Sequence, residues 1–309
     1  MSLHQFLGIE IGVPDPDALS AFCAEVGLVG DGASWGSADM PGQIRISETP
    51  YRQLRAIRVG CESEQDLDTA RKRLADLGLS AQPGTGRLSC REPLSGTDVI
   101  LEPTEHVPLT RPGLRQWNRP GERERANLRA EVVASDDPRP PRRLGHVVVG
   151  SPDPVATSKF FSEGIGFRVS DVIAGIATFM RCSSDHHNLF VQPGPIPYLN
   201  HYALEFDDID AVGMAATRYL KGRSPDHHVI GIGRHVVGSN VFWYMKDPCG
   251  NMFEFFSDMD DIPDDEAWEI GTEWPPTSFA RWGPNEPPEV FFVPADLEEI
   301  AKGREAEGR

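Results

Sequence analysis

The stretch LGHVVVGSPDPVATSKFFSEGIGF, residues 144–167, has a counterpart earlier in the chain, LGIEIGVPDPDALSAFCAEVGL, residues 7–28. Each begins as a short alternating strand and then reaches a Pro-Asp-Pro turn. Apolar residues at helical spacing follow, for example Leu19 and Phe22 in the first copy, before a glycine-rich break. The repeat predicts that one strand-turn-helix unit is built twice.

A second pair of segments repeats in the same order. LRAIRVGCESEQDLDTARKRLADLG from Leu54 and NHYALEFDDIDAVGMAATRYLKG from Asn200 both predict a strand, an acidic turn and a helix. REPLSGTDVILEP and KDPCGNMFEFFSD then end the two halves with a turn and a strand. Each half therefore contains two β-α-β type units, and we infer that the halves arose by duplication.

These repeats divide the chain into two tandem domains. We predict an N-terminal domain over residues 1–104 and a C-terminal domain over residues 143–261. Residues 105–142 between them are rich in proline and charge, which predicts a linker with room for one short helix. Residues 262–309 form a C-terminal arm that contains WPPTSFARWGP and is expected to end in a frayed polar helix.

Composition excludes several classes of function. The 309 residues are 39% hydrophobic and 25% charged, as in a soluble globular protein. A net charge of −17 argues against a nucleic-acid or anionic-membrane partner, because both need clustered Lys and Arg. Apolar runs fall short of the ~20 residues of a membrane span, and MSLHQFLGIEIG lacks the pattern of an export signal. The five cysteines show no CxxC spacing and are typical of reduced thiols in a cytoplasmic protein.

Three polar residues of the second half, His146, His201 and Glu254, replace apolar residues of the first half. Glu254 lies within the apolar strand MFEFF, where a carboxylate costs several kcal/mol unless it is paired. A single strand histidine is more often a hydrogen-bonded core or rim residue than a ligand, and Glu254 alone would fit a solvated face. Two imidazoles and one carboxylate together fit a first-row divalent metal with open positions, as in non-haem Fe(II) oxygen chemistry. The aligned residues of the first half are, in the same order, Gly8 or Ile9, Leu54 and Ile100.

The segment GRHVVGSNVFWYMKDPCGNMFEFFSD, residues 233–258, resembles the C-terminal signature of the type I extradiol ring-cleavage dioxygenases of the vicinal oxygen chelate superfamily. That signature combines G-R-H, an aromatic-Tyr strand, a D/S-P-x-G turn and a ligand Glu. The resemblance covers most of the chain and implies an α+β fold of two tandem domains. Each domain is then built of two βαβββ-type modules that form a half-open barrel-like sheet, and the N-terminal domain is metal-free.

The resemblance also implies a function. In the family, two imidazoles and this carboxylate bind Fe(II), occasionally Mn(II), and by motif they are His146, His201 and Glu254. The implied reaction is O2-dependent cleavage of the ring of a catechol-type aromatic diol, adjacent to the two hydroxyls. The implied partners are the small aromatic diol and O2. Relatives are commonly homo-oligomers, so a homo-oligomer is expected.

Three further site residues follow from the family's spacing. His186 lies 15 residues before the second histidine ligand and takes the family's acid–base role. His235 and Tyr244 lie 19 and 10 residues before the ligand Glu, and are expected to orient the ring and to take a hydroxyl proton. His187 is off this spacing by one residue, and its side chain is expected on the opposite strand face, as a structural or solvent-facing residue.

Two other functions remain open within the same fold. Isomerases, lyases and thiol transferases of the glyoxalase or fosfomycin-resistance kind use a similar metal site but lack the set of His186, His235 and Tyr244. A ligand-sequestering resistance protein has lost its metal ligands, whereas all three are present here. Arg181 and Arg234 either meet a substrate carboxylate or pair with surface acids, and the tryptophans of the C-terminal arm are expected to pack or to contact another subunit.

Overall fold

The computed structural model describes residues 2–110, 113, 115–134, 139–174, 177–275 and 277–308. None of the helices within these ranges has the length and apolar character needed to cross a membrane. The first half of the chain folds into one sheet with two helices. In chain order its elements are β1 (Leu3–Val13), α1 (Pro16–Glu25), β2 (Val29–Asp31), β3 (Ser34–Gly36), β4 (Ile44–Glu48), β5 (Gln53–Cys61), α2 (Glu64–Asp76), β6 (Ala81–Gly84), β7 (Arg87–Arg91) and β8 (Asp98–Pro103).

The eight strands of the first half pair in the order β2-β3-β4-β1-β5-β8-β7-β6. β1 and β5 are antiparallel neighbours at the centre of the sheet. β1 also pairs in parallel with β4, and β5 pairs in parallel with β8. Each βαβββ module, β1-α1-β2-β3-β4 or β5-α2-β6-β7-β8, therefore supplies four strands to one side of the sheet.

A linker joins the two halves and is tied to both of them by arginines. Arg142 bonds to Asp39 of the first half at 2.7 Å, and Arg139 bonds to Asp207 of the second half at 2.8 Å. The last of the linker's three short elements lies where the sequence leaves room for a short helix, while residues 111, 112, 114 and 135–138 lie outside the described residues. The three elements are β9 (Asn118–Arg119), β10 (Glu122–Arg123) and α3 (Glu131–Ala134).

The second half repeats the first with a larger sheet. Two of its strands, β19 and β20 below, come from the C-terminal arm. In chain order the elements are β11 (Arg143–Ser151), α4 (Pro154–Lys159), a π-helical turn (Phe160–Ile165), β12 (Arg168–Ile173), β13 (Ala177–Arg181), β14 (Leu189–Pro193), β15 (Tyr198–Glu205), α5 (Ile209–Leu220), a 3-10 turn (Pro225–His227), β16 (His228–His235), β17 (Val241–Lys246), β18 (Met252–Ser257), β19 (Gly271–Trp274), β20 (Ala280–Trp282), a 3-10 turn (Glu289–Phe291) and α6 (Leu297–Ala306).

The ten strands pair in the order β19-β12-β13-β14-β11-β15-β18-β17-β16-β20. The central eight are again two βαβββ modules that meet at antiparallel β11 and β15. The α+β fold predicted from the resemblance, with two tandem open sheets of two βαβββ-type modules each, is confirmed. The domain boundaries predicted from the sequence stay predictions.

The Pro-Asp-Pro turns start a helix in both halves, which explains why this short motif repeats. Asp15 accepts the backbone N–H of Ala18 at 3.0 Å, and Asp153 accepts that of Ala156 at 2.9 Å. A proline follows each of these aspartates at the first helical position, where its missing N–H has no cost. The turn therefore caps the helix that packs beside the sheet.

The strand register brings the three polar positions of the second half together. His146 on β11 lies opposite Ala203 on β15, which lies opposite Glu254 on β18. His201 lies two residues before Ala203 on β15, so its side chain is on the same face of the sheet. Adjacent strands are about 4.8 Å apart, which places all three side chains within reach of one ion.

The same register identifies the matching residues of the first half. Gly8, Arg58 and Ile100 form the row that corresponds to His146, Ala203 and Glu254. The sequence alignment of His201 with Leu54 is therefore wrong by two residues, because the register matches it with Ala56. The guanidinium of Arg58 is buried and donates to the carbonyl oxygens of Leu7 and Gly42.

The C-terminal arm crosses back to the first half. Asp296, just before α6, forms a two-pronged ion pair with the buried Arg52, the residue before β5. On α6 itself Ile300 is buried, and Arg304 donates to the carbonyl oxygens of Leu94 and Ser95 at 3.0 Å each. The expectation of a frayed C-terminal helix is wrong, because these contacts dock it on the N-terminal sheet.

Candidate metal centre and catalytic site

Three buried donor atoms converge from neighbouring strands of the second half. Nε2 of His146 lies 2.9 Å from Oε2 of Glu254, and Nε2 of His201 lies 3.4 Å from the same oxygen. One ligand atom of each residue lies within 4.8 Å of the other two. The side chain of Glu254 has no exposed surface. We call His146, His201 and Glu254 the donor triad.

The protonation of the donor triad fits a divalent cation. Burial lowers the pKa of His201 to about 4, so the imidazole is neutral near pH 7. Its Nδ1 bonds to Oδ1 of Asn200 at 2.7 Å, and among the described residues its Nε2 has no hydrogen-bond partner. Burial alone would raise the pKa of Glu254, but the imidazoles of His146 and His201 lower it below its usual value. Nε2 of His201 thus has a free lone pair next to the buried carboxylate of Glu254, which is an arrangement that can hold a metal ion.

Asn240 supports the triad from the loop between β16 and β17. Its Nδ2 donates to Oε1 of Glu254 at 2.9 Å. That bond occupies one carboxylate oxygen and leaves Oε2 facing His146 and His201. Sequence reasoning missed Asn240 and Asn200, although both stand in the segments that carry the predicted site, GRHVVGSN and LNHYALEF.

His235 and Tyr244 lie next to the donor triad, on β16 and β17. Nδ1 of His235 donates to the carbonyl oxygen of Phe279 at 2.8 Å, because a carbonyl can only accept. Nε2 of His235 therefore accepts, and the hydroxyl of Tyr244 donates to it at 2.9 Å. Burial raises the pKa of Tyr244 well above its usual value and lowers the pKa of His235. The pair can pass a proton from Tyr244 to His235.

His187, and not His186, is the other histidine beside the triad. The ring of His187 is 4.4 Å from that of His146 and lines the central cavity. The ring of His186 is fully buried behind it, with Nε2 2.7 Å from Oδ2 of Asp171 and Trp268 at 5.6 Å. The expectation that His187 faces away is wrong, because residues 182–188 form a bend between β13 and β14 in which strand alternation does not apply.

An ion pair and an asparagine hold this bend in place. Asp185 bonds to two guanidinium nitrogens of Arg143 at 2.8 and 2.6 Å. Oδ1 of Asn188 accepts the backbone N–H of Cys182 at 2.9 Å, and its Nδ2 donates to the carbonyl oxygen of Gly145 at 3.0 Å. Burial lowers the pKa of His187 well below its usual value, and the neighbouring imidazoles lower it further. A neutral His187 is therefore fixed beside the triad.

The donor triad lies at the inner end of a cavity of about 830 Å³. Among the described residues that line it there is no Lys or Arg, and Glu286, exposed at the rim, is the only charged residue besides Glu254. The C-terminal arm forms the outer wall. The apolar lining consists of Val148, Ile173, Ala177, Phe179, Phe190 and Val237 from the sheet and its loops, and of Phe279, Phe291, Phe292 and Val293 from the arm.

Two arginines considered from the sequence for a substrate carboxylate have other partners. Arg181 bonds to Asp265 and to Oγ of Ser170, and Arg234 pairs with Asp258 at 2.8 Å. Neither lines the cavity. Two tryptophans of the arm pack against β12, as expected, and not in the cavity. The indole N–H of Trp268 donates to the carbonyl oxygen of Ser170, and that of Trp274 donates to Oδ1 of Asp171.

Comparisons with known proteins agree with this fold. Residues 143–255 match the Glyoxalase/Bleomycin resistance protein/Dioxygenase superfamily. Metapyrocatechase 2 of Cupriavidus necator is 34% identical over 155 residues, which cover 50% of this chain and 47% of that protein. The iron-dependent extradiol dioxygenase of Rhodococcus jostii is 30% identical over 155 residues, which cover 45% of this chain and 50% of that protein. The chain thus spans about half the length of the curated relatives it matches.

A solved structure extends the likeness of the fold to both halves. The Mn(II)-bound glyoxalase of Novosphingobium aromaticivorans superposes with a TM-score of 0.70 at 23% identity and covers 94% of each chain. At this identity the superposition concerns the fold alone. The family match, in contrast, includes all three members of the donor triad. Residues 143–255 therefore match the Glyoxalase/Bleomycin resistance protein/Dioxygenase superfamily, and the resemblance of this chain to its extradiol dioxygenases is confirmed.

Proposed function

We propose that this protein is an Fe(II)-dependent extradiol dioxygenase that uses O2 to cleave an aromatic ring next to a vicinal diol. The observation that carries the proposal is that His187, His235 and Tyr244 surround the donor triad within one cavity. A sequestering protein has no use for three proton-carrying side chains around the metal, and the isomerases of the same fold lack this combination of two histidines and a tyrosine. The names of the curated relatives support the same activity.

The donor triad, His146, His201 and Glu254, would hold the metal through two imidazole nitrogens and one carboxylate oxygen. Fe(II) bound there would acidify the diol hydroxyls and supply the redox chemistry with O2. We propose Fe(II) because this ligand set is typical of non-haem iron oxygenases and one relative is named iron-dependent. Mn(II) is the alternative, since a related fold binds it.

Tyr244 and His235 would take the first proton from the diol. The hydroxyl hydrogen of Tyr244 points to Nε2 of His235, so its oxygen keeps lone pairs that can accept a hydrogen bond from the substrate. If Tyr244 takes that proton, it can pass its own to His235, whose other nitrogen stays bonded to Phe279. The hydrogen bond to Phe279 also orients the His235 ring.

His187 would supply the acid–base function on the other side of the triad. The sequence assigned this role to His186, but His187 is the histidine that lines the cavity next to His146. An imidazole can accept one proton and later release it within a catalytic cycle. The ring of Phe179 lies 5.1 Å from that of His187, so the proton would be held beside an apolar side chain.

The cavity favours an uncharged substrate larger than catechol itself. Its volume of about 830 Å³ lies near the upper end of the roughly 300–1,000 Å³ of ordinary ligand sites. A carboxylate in its apolar outer part would find no cation among the described lining residues, at a cost of several kcal/mol. We therefore expect a diol with a hydrophobic substituent to bind more tightly than a carboxylated one.

A diol panel tests this function. Protein prepared without oxygen and loaded with Fe(II) is mixed in air with catechol, 2,3-dihydroxybiphenyl or 3,4-dihydroxybenzoate. We expect O2 uptake and a yellow ring-cleavage product, with the lowest KM for the biphenyl diol and the highest for the benzoate. The same measurement after loading with Mn(II) identifies the productive metal.

Two variants give this experiment its controls. Glu254→Gln removes a charged donor and is expected to abolish metal retention and turnover, whereas His228→Gln changes an exposed histidine of β16 and should leave both unchanged. Absence of O2 uptake with every diol and both metals would refute the proposed activity. The homo-oligomer and the cytoplasmic location expected from the sequence stay predictions.

A further inference from the structure

Behind the cavity wall, His187 is the first of three buried polar side chains joined by hydrogen bonds. Its Nδ1 lies 3.0 Å from Nδ1 of His186, and Nε2 of His186 lies 2.7 Å from Oδ2 of Asp171. The other carboxylate oxygen, Oδ1, accepts the backbone N–H of Gly271 at 2.6 Å and the indole N–H of Trp274 at 2.9 Å. All three side chains of this histidine relay, Asp171, His186 and His187, are buried.

The chemistry of the groups fixes where the hydrogens lie. An ionised carboxylate only accepts, so Nε2 of His186 carries a hydrogen and donates it to Asp171. A neutral imidazole has a single N–H, so Nδ1 of His186 has a lone pair. The short contact between the two Nδ1 atoms then requires that Nδ1 of His187 donate. These hydrogens are assigned from the network, which leaves His187 with a lone pair on Nε2.

We propose that Asp171 and His186 are positioning residues that fix His187 in the tautomer with its hydrogen on Nδ1 and an accepting Nε2. The catalytic meaning of this tautomer rests on the proposed function, because only an accepting nitrogen can take up a proton during the reaction. The opposite tautomer would carry a hydrogen on Nε2 and could only donate there. A histidine held as an acceptor must therefore receive a proton before it gives one.

The C-terminal arm takes part in this arrangement. Asp171 belongs to β12, whereas Gly271 and Trp274, which bond to its Oδ1, belong to β19 of the arm. Their two N–H groups orient the carboxylate so that Oδ2 faces His186. The arm thus contributes both the outer wall of the cavity and the orientation of the histidine relay.

Asp171→Asn tests the proposal, because the structure dictates how the new amide must lie. The two N–H donors at Oδ1 require the amide oxygen in that position, so the NH2 group faces Nε2 of His186. His186 then accepts at Nε2 and carries its hydrogen on Nδ1. To keep the contact, His187 must accept at Nδ1 and carry its own hydrogen on Nε2. A change of one atom is expected to invert the tautomer of His187.

The readout is the histidine tautomer itself, measured by long-range ¹H–¹⁵N NMR on histidine-labelled protein, metal-free and loaded with Zn(II). A His187→Gln spectrum assigns the signals. We expect a hydrogen on Nδ1 of His187 in the unmodified protein and on Nε2 in Asp171→Asn. With Fe(II) and a diol, kcat of Asp171→Asn should fall by about 10²-fold or more, while the anaerobic diol Kd changes by less than about threefold.

Asp265→Asn is the matched control. It makes the same carboxylate-to-amide change at a half-exposed residue of the arm, which is paired with Arg168 and Arg181. We expect it to leave the tautomer of His187 and kcat unchanged. A hydrogen on Nε2 or on both nitrogens of His187 in the unmodified protein overturns the proposal, even if Asp171→Asn fails to fold. An unchanged tautomer in folded Asp171→Asn overturns it too. If no diol is cleaved by the unmodified protein, the proposed function fails while the NMR result still decides this inference.

Discussion

Two chains of hydrogen bonds begin beside the donor triad, and they end differently. From Tyr244 the hydrogen bonds run through His235 to the carbonyl oxygen of Phe279, a neutral acceptor. From His187 they run through His186 to the carboxylate of Asp171. A carboxylate accepts the stronger, charge-assisted hydrogen bond from a protonated imidazole, and a carbonyl oxygen accepts a weaker one. At the scale of single residues, the two chains of hydrogen bonds therefore differ in the charge of the group at which they end.

Replacement of His187 separates proton transfer from metal binding. We expect His187→Gln to retain Fe(II) and to bind a diol anaerobically with little change, because the ligand atoms belong to other residues. Its kcat should fall by about 10²–10⁴-fold, the usual contribution of a general acid–base group. Metal analysis, anaerobic titration and O2 uptake measure the three quantities. Loss of iron would make His187 a ligand, and full turnover would remove its acid–base role.

The residues that could be predicted from the sequence are those in regular strands. His146, His201 and Glu254 interrupt an apolar pattern that the first half preserves, and a strand has only two faces. His187 was misjudged because it lies in a bend, where side-chain direction depends on contacts with Arg143 and with the β16–β17 loop rather than on alternation. Residue spacing alone cannot distinguish neighbouring histidines in such a segment.

At the scale of elements, the loop between β16 and β17 determines how closely the histidine bend is packed. Gly238 in this loop has φ +82°, and a Cβ there would lie 3.1 Å from Nδ1 of His186 and 3.4 Å from Cε1 of His187. Only glycine combines this left-handed backbone with so close an approach. The loop therefore covers the hydrogen bond between the two histidines.

A pair of glycine variants tests this packing. Gly250→Ala has the same backbone strain at φ +81° but meets no atom within 4 Å, so it should lower the free energy of unfolding by about 1 kcal/mol. Gly238→Ala adds the contact with the histidines and should be less stable than Gly250→Ala and lower in kcat. Urea unfolding and steady-state kinetics measure both effects. If the two variants lost the same free energy of unfolding and kept the same kcat, the segment 182–188 would accommodate the added methyl group without strain.

The strand-turn-helix units were predictable because proline and aspartate set the turns locally. The position of the C-terminal arm could not be predicted in this way, because it depends on contacts with residues far away in the sequence. Trp274 reaches Asp171 of β12, and Asp296 reaches Arg52 of the first half. Contacts across 103 and 244 residues leave no periodic pattern in the sequence.

At the scale of the whole molecule, the two sheets share a topology and differ in the row that faces the centre. The second half has His146 and Glu254 where the first has Gly8 and Ile100. A ligand that binds only the folded second half stabilises that half, by about 2.7 kcal/mol at a hundred times its Kd. The effect on the first half depends on how strongly the halves are coupled.

Hydrogen exchange with and without Zn(II) tests this asymmetry. We expect Zn(II) to slow exchange in β11, β15 and β18, which carry the donor triad, and to leave β1, β5 and β8 little changed. Mass spectrometry of the peptides from each half measures the difference. Glu254→Gln serves as the control and should show no protection by Zn(II). Equal protection of both sheets would show that the halves unfold as one unit.

Arg58 gives this duplication a further consequence. Its guanidinium occupies, in the first sheet, the row in which the second sheet presents its metal donors, so one copy carries a positive charge that is encoded in the chain. The second copy has no such group in this row, so a cation bound by its donor triad would come from solution. The supply of a divalent metal would then change the charge balance of the second half alone, while the first half keeps its own cation whatever the solution contains.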